Sequence, residues 1–449
     1  MNVANMEHVL TRCADALAGA EAAAADRQVA SLLTALDYAD ATATPADTAH
    51  RILMLRAAAT FTRLFRLSAV AAPGMTFFGA EVDPSGLPLE QIAGLPLMSA
   101  SGAGLSVRAA FEGCVGEGVE LLSQCALAAD DLGTIVLPAQ AAGTDPSVAG
   151  MAERLLHAAG MDPATPIDWI TGCRLSDTAA VPLPADLCLR RGSAGRLPPG
   201  SPLSIGCAAG IFLSDAALHG LLELIERDAA ALWWRGGARG RLIPLDSPAT
   251  HRSLALLAAM RRGATGRRSW LLDITSDLRV PVIAAVSVDA AGTGFACGVA
   301  AHLTMGQAAE AAIRELSQME LAHEVVAAKR RESGDEALNN ADRAHLRRAR
   351  DLDAGTCVLL HPLPPGEPVP DIATADPADA VHVLTRRLRD QGIETFLLDL
   401  TRPSFGIPVV RVICPELERE PSSLVGARLR AAIAHTGGVT DYARDIPLM

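Results

Sequence analysis

Residues 204–234 read SIGCAAGIFLSDAALHGLLELIERDAAALWW, and their reading decides how the rest of the chain is understood. Small residues and glycines come first, followed by a long run with helical spacing. Leu218, Leu221, Leu222, Ile225 and Ala229 make an apolar stripe. Asp215, His219, Glu223 and Glu226 fall together on another face. Glu223 and Glu226 are three apart, so their carboxylates lie one above the other, and Arg227 follows Glu223 at pairing distance. Stacked carboxylates beside an arginine, behind a glycine-rich turn, suit a metal–phosphate ligand. A solvated helix face with one Glu–Arg pair fits the same letters.

Two other stretches repeat the arrangement. LPLMSASGAG at 95–104 ends in Ser101, Gly102, Ala103 and Gly104, and a helical pattern then runs to about residue 124. It carries Glu117 and Glu120, again three apart, and the interval from Gly104 to Glu117 equals that from Gly210 to Glu223. A recurring glycine turn, helix and acid pair points to internal duplication. Gly113, Gly116 and Gly118 each weaken this helix by roughly 1 kcal/mol relative to alanine, so either another backbone packs there or the helix is partly broken. Thr304 with Gln307 forms a capping box, and the helix it opens carries Glu315 and Gln318, three apart once more.

Bulk properties narrow the function classes. The chain has 449 residues, half of them hydrophobic, and a net charge of -12. That charge argues against nucleic acid or an anionic membrane as a standing partner, because both need a basic surface. Nine cysteines are scattered without a C-x-x-C pair, which suggests reduced thiols in a cytoplasm rather than zinc. No signal peptide is read at the N-terminus. The apolar region 280–303 contains Pro281, Asp289 and several glycines, so it reads as two strands and a turn, not a membrane span. Lys329 is the only lysine and no G-x-x-x-x-G-K loop is present. If ATP binds, metal, arginine and backbone donors must hold its phosphates.

The remaining pattern predicts an α/β chain of repeated strand–turn–helix units behind an N-terminal helical region. Helices are expected at 9–23, 30–36 and 52–67, with Pro73 and Gly74 closing a region of residues 1–72 that packs or docks a partner. Arg51, Arg56, Arg63 and Arg66 read as a solvated face there. Residues 73–449 form the larger unit. Strands are expected near 134–137, 167–171, 269–274, 280–288, 292–301, 393–399 and 408–414, and charged helical sequence at 328–353. The P-L-P and L-P-P-G-S-P runs, and the segment from His361, read as loops.

The central stretch resembles the YcaO family. The likeness rests on the S-x-G-x-A-A-G turn (Ser204, Gly206, Ala208, Ala209, Gly210), on L-x-E-L-I-E-R-D-A and on the Trp233–Trp234 pair. It continues through WLLDITSDLRVPVIAAVS, RELSQM and ETFLLDLTRPSFGIPVVRVICP, so it covers roughly 95–415. The Trp pair and the Ala-Ala-Gly turn look most like the branch that makes azolines in peptides. The resemblance implies a YcaO-like fold with mixed sheets and an ATP- and Mg2+-dependent enzyme. That enzyme phosphorylates a backbone amide oxygen of a ribosomal precursor peptide and converts Cys, Ser or Thr to thiazoline or oxazoline. Carried onto this chain, it implies catalytic Glu223, Glu226, Arg227 and Gln318. It implies nucleotide contacts from Ser101, Gly102, Gly104, Glu117, Glu120, Gly206, Gly210, Glu223, Arg227, Glu315 and Gln318. Metal ligands would be Glu117, Glu120, Glu223, Glu226 and Glu315. The expected partners are the precursor peptide, an E1-like leader-peptide-binding protein and a flavin-dependent azoline dehydrogenase, in a dimer or larger complex. The chain departs from the family at Ala103 (usually Lys), at Cys114 (usually Ser) and in its tail, where Pro447 stands alone instead of a P-x-P-x-P run. Thioamide or amidine synthesis on a peptide, and a non-catalytic peptide-binding subunit, are the alternatives.

Overall fold

Apolar periodicity near the N-terminus produces α1 (Val3–Leu17), α2 (Glu21–Ala24), α3 (Arg27–Ala35) and α4 (Pro45–Ala59). Thr44 caps α4, Asp47 answers it in a capping box, and Pro45 occupies the first turn. In the computed structural model, residues 3–448 are described apart from 41, 88–94, 128–134, 141–143, 193–194, 196, 198–201, 244–247, 368, 375, 440–445 and 447. Most of the L-P-P-G-S-P run and Pro447 therefore lie outside the described residues.

The helix expected at 52–67 ends at Ala59, and its last part is instead strand β1 (Arg63–Leu67). Pairing with β2 (Thr76–Val82), from Arg63↔Glu81 to Leu67↔Phe77, overrides the local helical pattern. The glycine-rich stretch read as a turn is also a strand, β3 (Met98–Gly104), and its helix α5 (Val107–Ser123) follows directly. A side chain at Gly102 would run into the Ala110 carbonyl, so glycine lets strand and helix touch.

The chain continues through β4 (Ile135–Leu137), α6 (Pro146–Ala158), β5 (Ile167–Arg174), β6 (Ala180–Pro184) and α7 (Ala185–Cys188). Next come β7 (Cys207–Ala209), α8 (Leu213–Trp234), α9 (Pro248–Arg261), β8 (Arg267–Asp273), β9 (Val282–Asp289) and β10 (Ala296–Ala301). It ends with α10 (Met305–Ser333), α11 (Asn340–Asp351), α12 (Pro377–Arg389), β11 (Phe396–Asp399), β12 (Val409–Ile413) and α13 (Ala427–Thr436). Seven expected strands are present with shifted ends, while α6, α9, α12 and α13 had no strong sequence signal.

Three sheets result, ordered β1–β2–β3, β10–β9–β8 and β4–β5–β11–β12–β7, with β6 also paired to β5. Every pairing between these strands is antiparallel. The sheets alternate with three apolar cores around a cycle. In β2, Phe78 and Val82 enter the first core while Phe77 enters the third. In β12, Val409 and Ile413 enter the first and Val410 and Val412 the second. In β9, Val282 and Val286 enter the second and Ile283 and Ala285 the third. Each sheet is thus buried on both faces, which explains strands without polar alternation. Met6 and Val9 of α1 share the first core with Phe111 and Val115 of α5, and β1–β2 pairing crosses residue 72.

Candidate active site

Each sheet delivers one strand into one long helix, giving the units β3–α5, β7–α8 and β10–α10. Each helix carries its acid or amide pair three residues apart, so both members project from the same face. The first member of each pair bonds the strand of its own unit or the residue just before that strand. Glu117 accepts from the Ser101 N–H at 2.7 Å, and Glu223 accepts from the Gly206 N–H at 2.8 Å. Glu315 takes a backbone hydrogen bond from Val299.

The second member reaches the next unit. Glu120 accepts from the Ala209 N–H at 2.7 Å. Glu226 takes a backbone hydrogen bond from Ala301. Gln318 Nε2 donates to Ser101 Oγ at 3.4 Å, returning to the first unit. The three units are therefore tied into a closed ring, each by the side chain expected from its spacing.

A cavity of about 510 Å3 opens inside this ring. Ser101, Gly102, Glu117, Glu120, Gly210, Glu315 and Gln318, all singled out in the sequence, line it. Gly104 and Gly206 take other positions. Gly104 packs beside Ala109, and Gly206 has φ +83° and lies so close to the Val412 carbonyl that a side chain would stand 2.6 Å from it. Glu223, Glu226 and Arg227 are not among the lining residues either; they form a charged layer in α8 behind the wall. Arg227 lies 3.3 Å from Glu223 Oε1 and 3.4 Å from Glu226 Oε1.

Electrostatics bind these groups into one unit. Burial pushes Glu120 up to about 8, against the pull of the Ala209 N–H, and the charges of Glu117 and Glu223 add to the rise. Burial raises Glu315 to about 7, with Arg227 opposing it. Glu117 is raised by burial, while the Ser101 hydrogen bonds pull it back. Glu226 is pushed well up by burial, with Arg227 opposing and Glu315 and Glu223 adding. Burial would lower Arg227, yet Glu226, Glu223 and Glu315 hold it above the ordinary arginine value.

These residues have the donor chemistry for a divalent cation and phosphate. Glu226 Oε1 is buried and makes no hydrogen bond among the described residues, and its partner there is Arg227 Nε at 3.4 Å. Carboxylate and amide oxygens are the hard donors that Mg2+ selects, usually one or two carboxylates alongside phosphates and water. Among the described residues no three His, Cys, Asp or Glu groups converge into a ready-made metal cage. Glu117, Glu120 and Glu315 line the cavity instead of clasping one point.

Several lining residues were not read as functional. Asp215 and His219 sat on the same helix face as Glu223 but carried no assigned role; they face the cavity, and His219 Nδ1 lies 3.3 Å from the Ala209 carbonyl. Arg314 precedes Glu315 and escaped notice because a lone arginine gives no spacing signal. His50 and Met54 come from α4, so the N-terminal region supplies part of the wall. Trp233 and Trp234 are structural here. Their indole N–H groups donate to the carbonyls of Leu359 and Ile446, and Trp234 stacks on Phe295 at 5.5 Å. His302 accepts from the Leu303 N–H, a local cap at the end of β10.

Residues 101–418 match the family model described as YcaO cyclodehydratase, binding ATP and Mg2+. An uncharacterized protein of Methanothermobacter thermautotrophicus is 29% identical over 315 residues, covering 66% of this chain and 76% of that protein. Among solved structures, a heterocyclase in complex with substrate and cofactor superposes with TM-score 0.66 at 24% identity, over 91% of this chain and 56% of its own. This chain thus spans about half the length of that heterocyclase. YcaO from Methanopyrus kandleri bound with AMPPCP and Mg2+ gives TM-score 0.57 at 17% identity, over 82% and 89%. Both likenesses to solved structures concern the fold.

Proposed function

The chain belongs to the YcaO family, and on that footing we propose that it is an ATP-dependent peptide cyclodehydratase. Its substrate is a ribosomal precursor peptide, and its product carries thiazoline or oxazoline rings made from Cys, Ser or Thr. The observation that carries the reading is the cycle of hydrogen bonds from Glu120, Glu226 and Gln318 that ties the three units together beside one cavity lined by Glu117, Glu120, Glu315 and Gln318.

Amide oxygen is a poor leaving group. The Cys, Ser or Thr side chain adds to the preceding backbone carbonyl carbon, and that carbonyl's oxygen must depart to leave a C=N bond in the ring. Bound ATP with Mg2+ supplies the γ-phosphoryl group with which this oxygen leaves, giving ADP, phosphate and a peptide lighter by one water. Glu117, Glu120, Glu223, Glu226 and Glu315 would hold the ions. Arg227 keeps Glu223 and Glu226 oriented and offsets their mutual repulsion. Ser101, Gly102 and Gly210 border the nucleotide space, and Gln318 closes the ring. Gly104 and Gly206 act through strand–helix packing. Leader-peptide capture falls to an E1-like partner, and a flavin-dependent dehydrogenase oxidises azolines to azoles, in a dimer or larger assembly.

The test uses the full chain with ATP, Mg2+, the partner and a Cys- or Ser-containing peptide. Water loss from the peptide and phosphate release should rise together. Glu226→Gln should lower both by roughly a hundredfold or more, in the range of a lost electrostatic contributor, while leaving the melting profile intact. Replacement of oxygen by sulfur in the product would establish thioamide synthesis instead. Nucleotide binding without turnover, even with partner and peptide, would reduce the chain to a binding subunit.

A further inference from the structure

A second cavity, of about 300 Å3, lies away from the carboxylate ring, between α6, the chain leaving β12 and the start of α13. Arg154, Arg419 and Arg430 line it. Arg419 is only 8% exposed. Its guanidinium donates to the Met151 sulfur at 3.5 Å, a weak uncharged acceptor. Among the described residues, no carboxylate stands within ion-pair distance of it. Other buried arginines are served differently: Arg402 and Arg411 donate to backbone carbonyls, and Arg261 forks onto Glu320.

The two acids in the same wall hold backbone N–H groups, and the charge of Arg154 also acts on Glu416. Glu418 accepts from the Gly426 and Leu429 N–H groups at 2.9 Å each, and so caps α13. Glu416 accepts from the Glu394 N–H. Burial, with Arg411 and Arg154 adding to it, lowers Arg419 to about 9. Buried guanidinium is costly without an anion, and this chain carries net charge -12, so a cationic hollow runs against the whole surface.

We propose that this cavity is a binding site for a small oxyanion of the phosphate class, held by Arg419 at its floor and by Arg154 and Arg430 at its mouth. Guanidinium forks match tetrahedral oxyanions in geometry, and three of them match a doubly charged anion better than a single carboxylate. The volume sits at the bottom of the range for small-molecule sites, about 300–1,000 Å3, which favours a compact anion over a whole nucleotide. The site does not depend on the catalytic reading, since none of its residues belongs to the ring.

Titration calorimetry of the full chain with sodium phosphate, against sodium acetate and sodium chloride at equal ionic strength, tests this. Phosphate should bind and the other two should not. Arg154→Gln and Arg430→Gln change exposed side chains, each of which also donates to one backbone carbonyl, of Pro415 and Val425 respectively, so an unchanged melting profile is checked first. Each should raise the Kd roughly tenfold, as expected for loss of a charged hydrogen-bond partner. Arg419→Lys should weaken binding further while keeping a positive charge. Arg314→Gln, in the carboxylate-ringed cavity, should leave phosphate binding unchanged. Absent binding, equal binding of acetate, or a loss seen in Arg314→Gln and in none of the other three would overturn the proposal.

Discussion

Glu420 shows what a single buried charge does to this protein. Its side chain is 4% exposed, its Oε2 makes no hydrogen bond among the described residues, and Arg235 stands 3.8 Å away. Burial moves it from 4.5 up to about 7, with Arg235 opposing the rise. The folded state thus binds a proton that the unfolded chain has released, so its share of stability is full below pH 4.5 and gone above about 7. Denaturant melts across that window should show a steady fall in stability, to which Glu120 and Glu315 add, and Glu420→Gln should make it shallower. An unchanged slope in the variant would place the fall elsewhere. At this scale the acid pairs were legible, because three-residue spacing on an apolar-striped helix fixes a common face. Arg314 and His50 were not, since what a lone side chain faces depends on elements far away in the chain.

At the scale of elements, glycine divides the strong expectations from the weak ones. The three glycines of α5 argue locally against a helix, yet two of them make room for a close neighbour. Gly118 lies under the Phe61 ring, Gly113 stands over Gly102, and Gly116 faces the cavity with nothing within 4 Å. Gly102 and Gly298 are pressed onto α5 and α10, where a side chain would overlap backbone atoms of Ala110 and Leu316. Gly102→Ala and Gly298→Ala should each cost about 1–3 kcal/mol, read as a lower melting temperature. Gly116→Ala should raise stability by roughly 1 kcal/mol through helix propensity while weakening nucleotide binding, since its methyl enters the cavity. The strand β3 was misread because serine and glycine signal turns, and nothing local reveals the helix pressed on it. Strands β9, β10 and β12 were legible because both their faces are buried.

For the whole molecule, three sheets alternating with three cores leave the cavity at the centre of the ring. Ligand bound there touches all three units, so its binding energy enters the cooperative unfolding of the chain. ATP with Mg2+ at a hundredfold excess over Kd should add about 2.7 kcal/mol and raise the melting temperature measurably. ATP with EDTA should give much less, because the carboxylates then face the phosphates without cations between them. Equal shifts with and without EDTA would contradict the carboxylate–metal arrangement. None of the described helices is long and apolar enough to cross a membrane. The alternation of sheets and cores was not legible in the sequence, although two recurring intervals hinted at it, because cyclic closure is a property of pairing between distant segments.

The ring's three joints will leave unequal traces in evolutionary history. Glu120 and Glu226 bond main-chain N–H groups, which every amino acid except proline possesses. A change of side chain opposite them leaves the hydrogen bond in place, so no paired substitutions will betray those contacts. Only Gln318 and Ser101 meet side chain to side chain, so covariation among relatives should surface at that pair and stay silent at the other two.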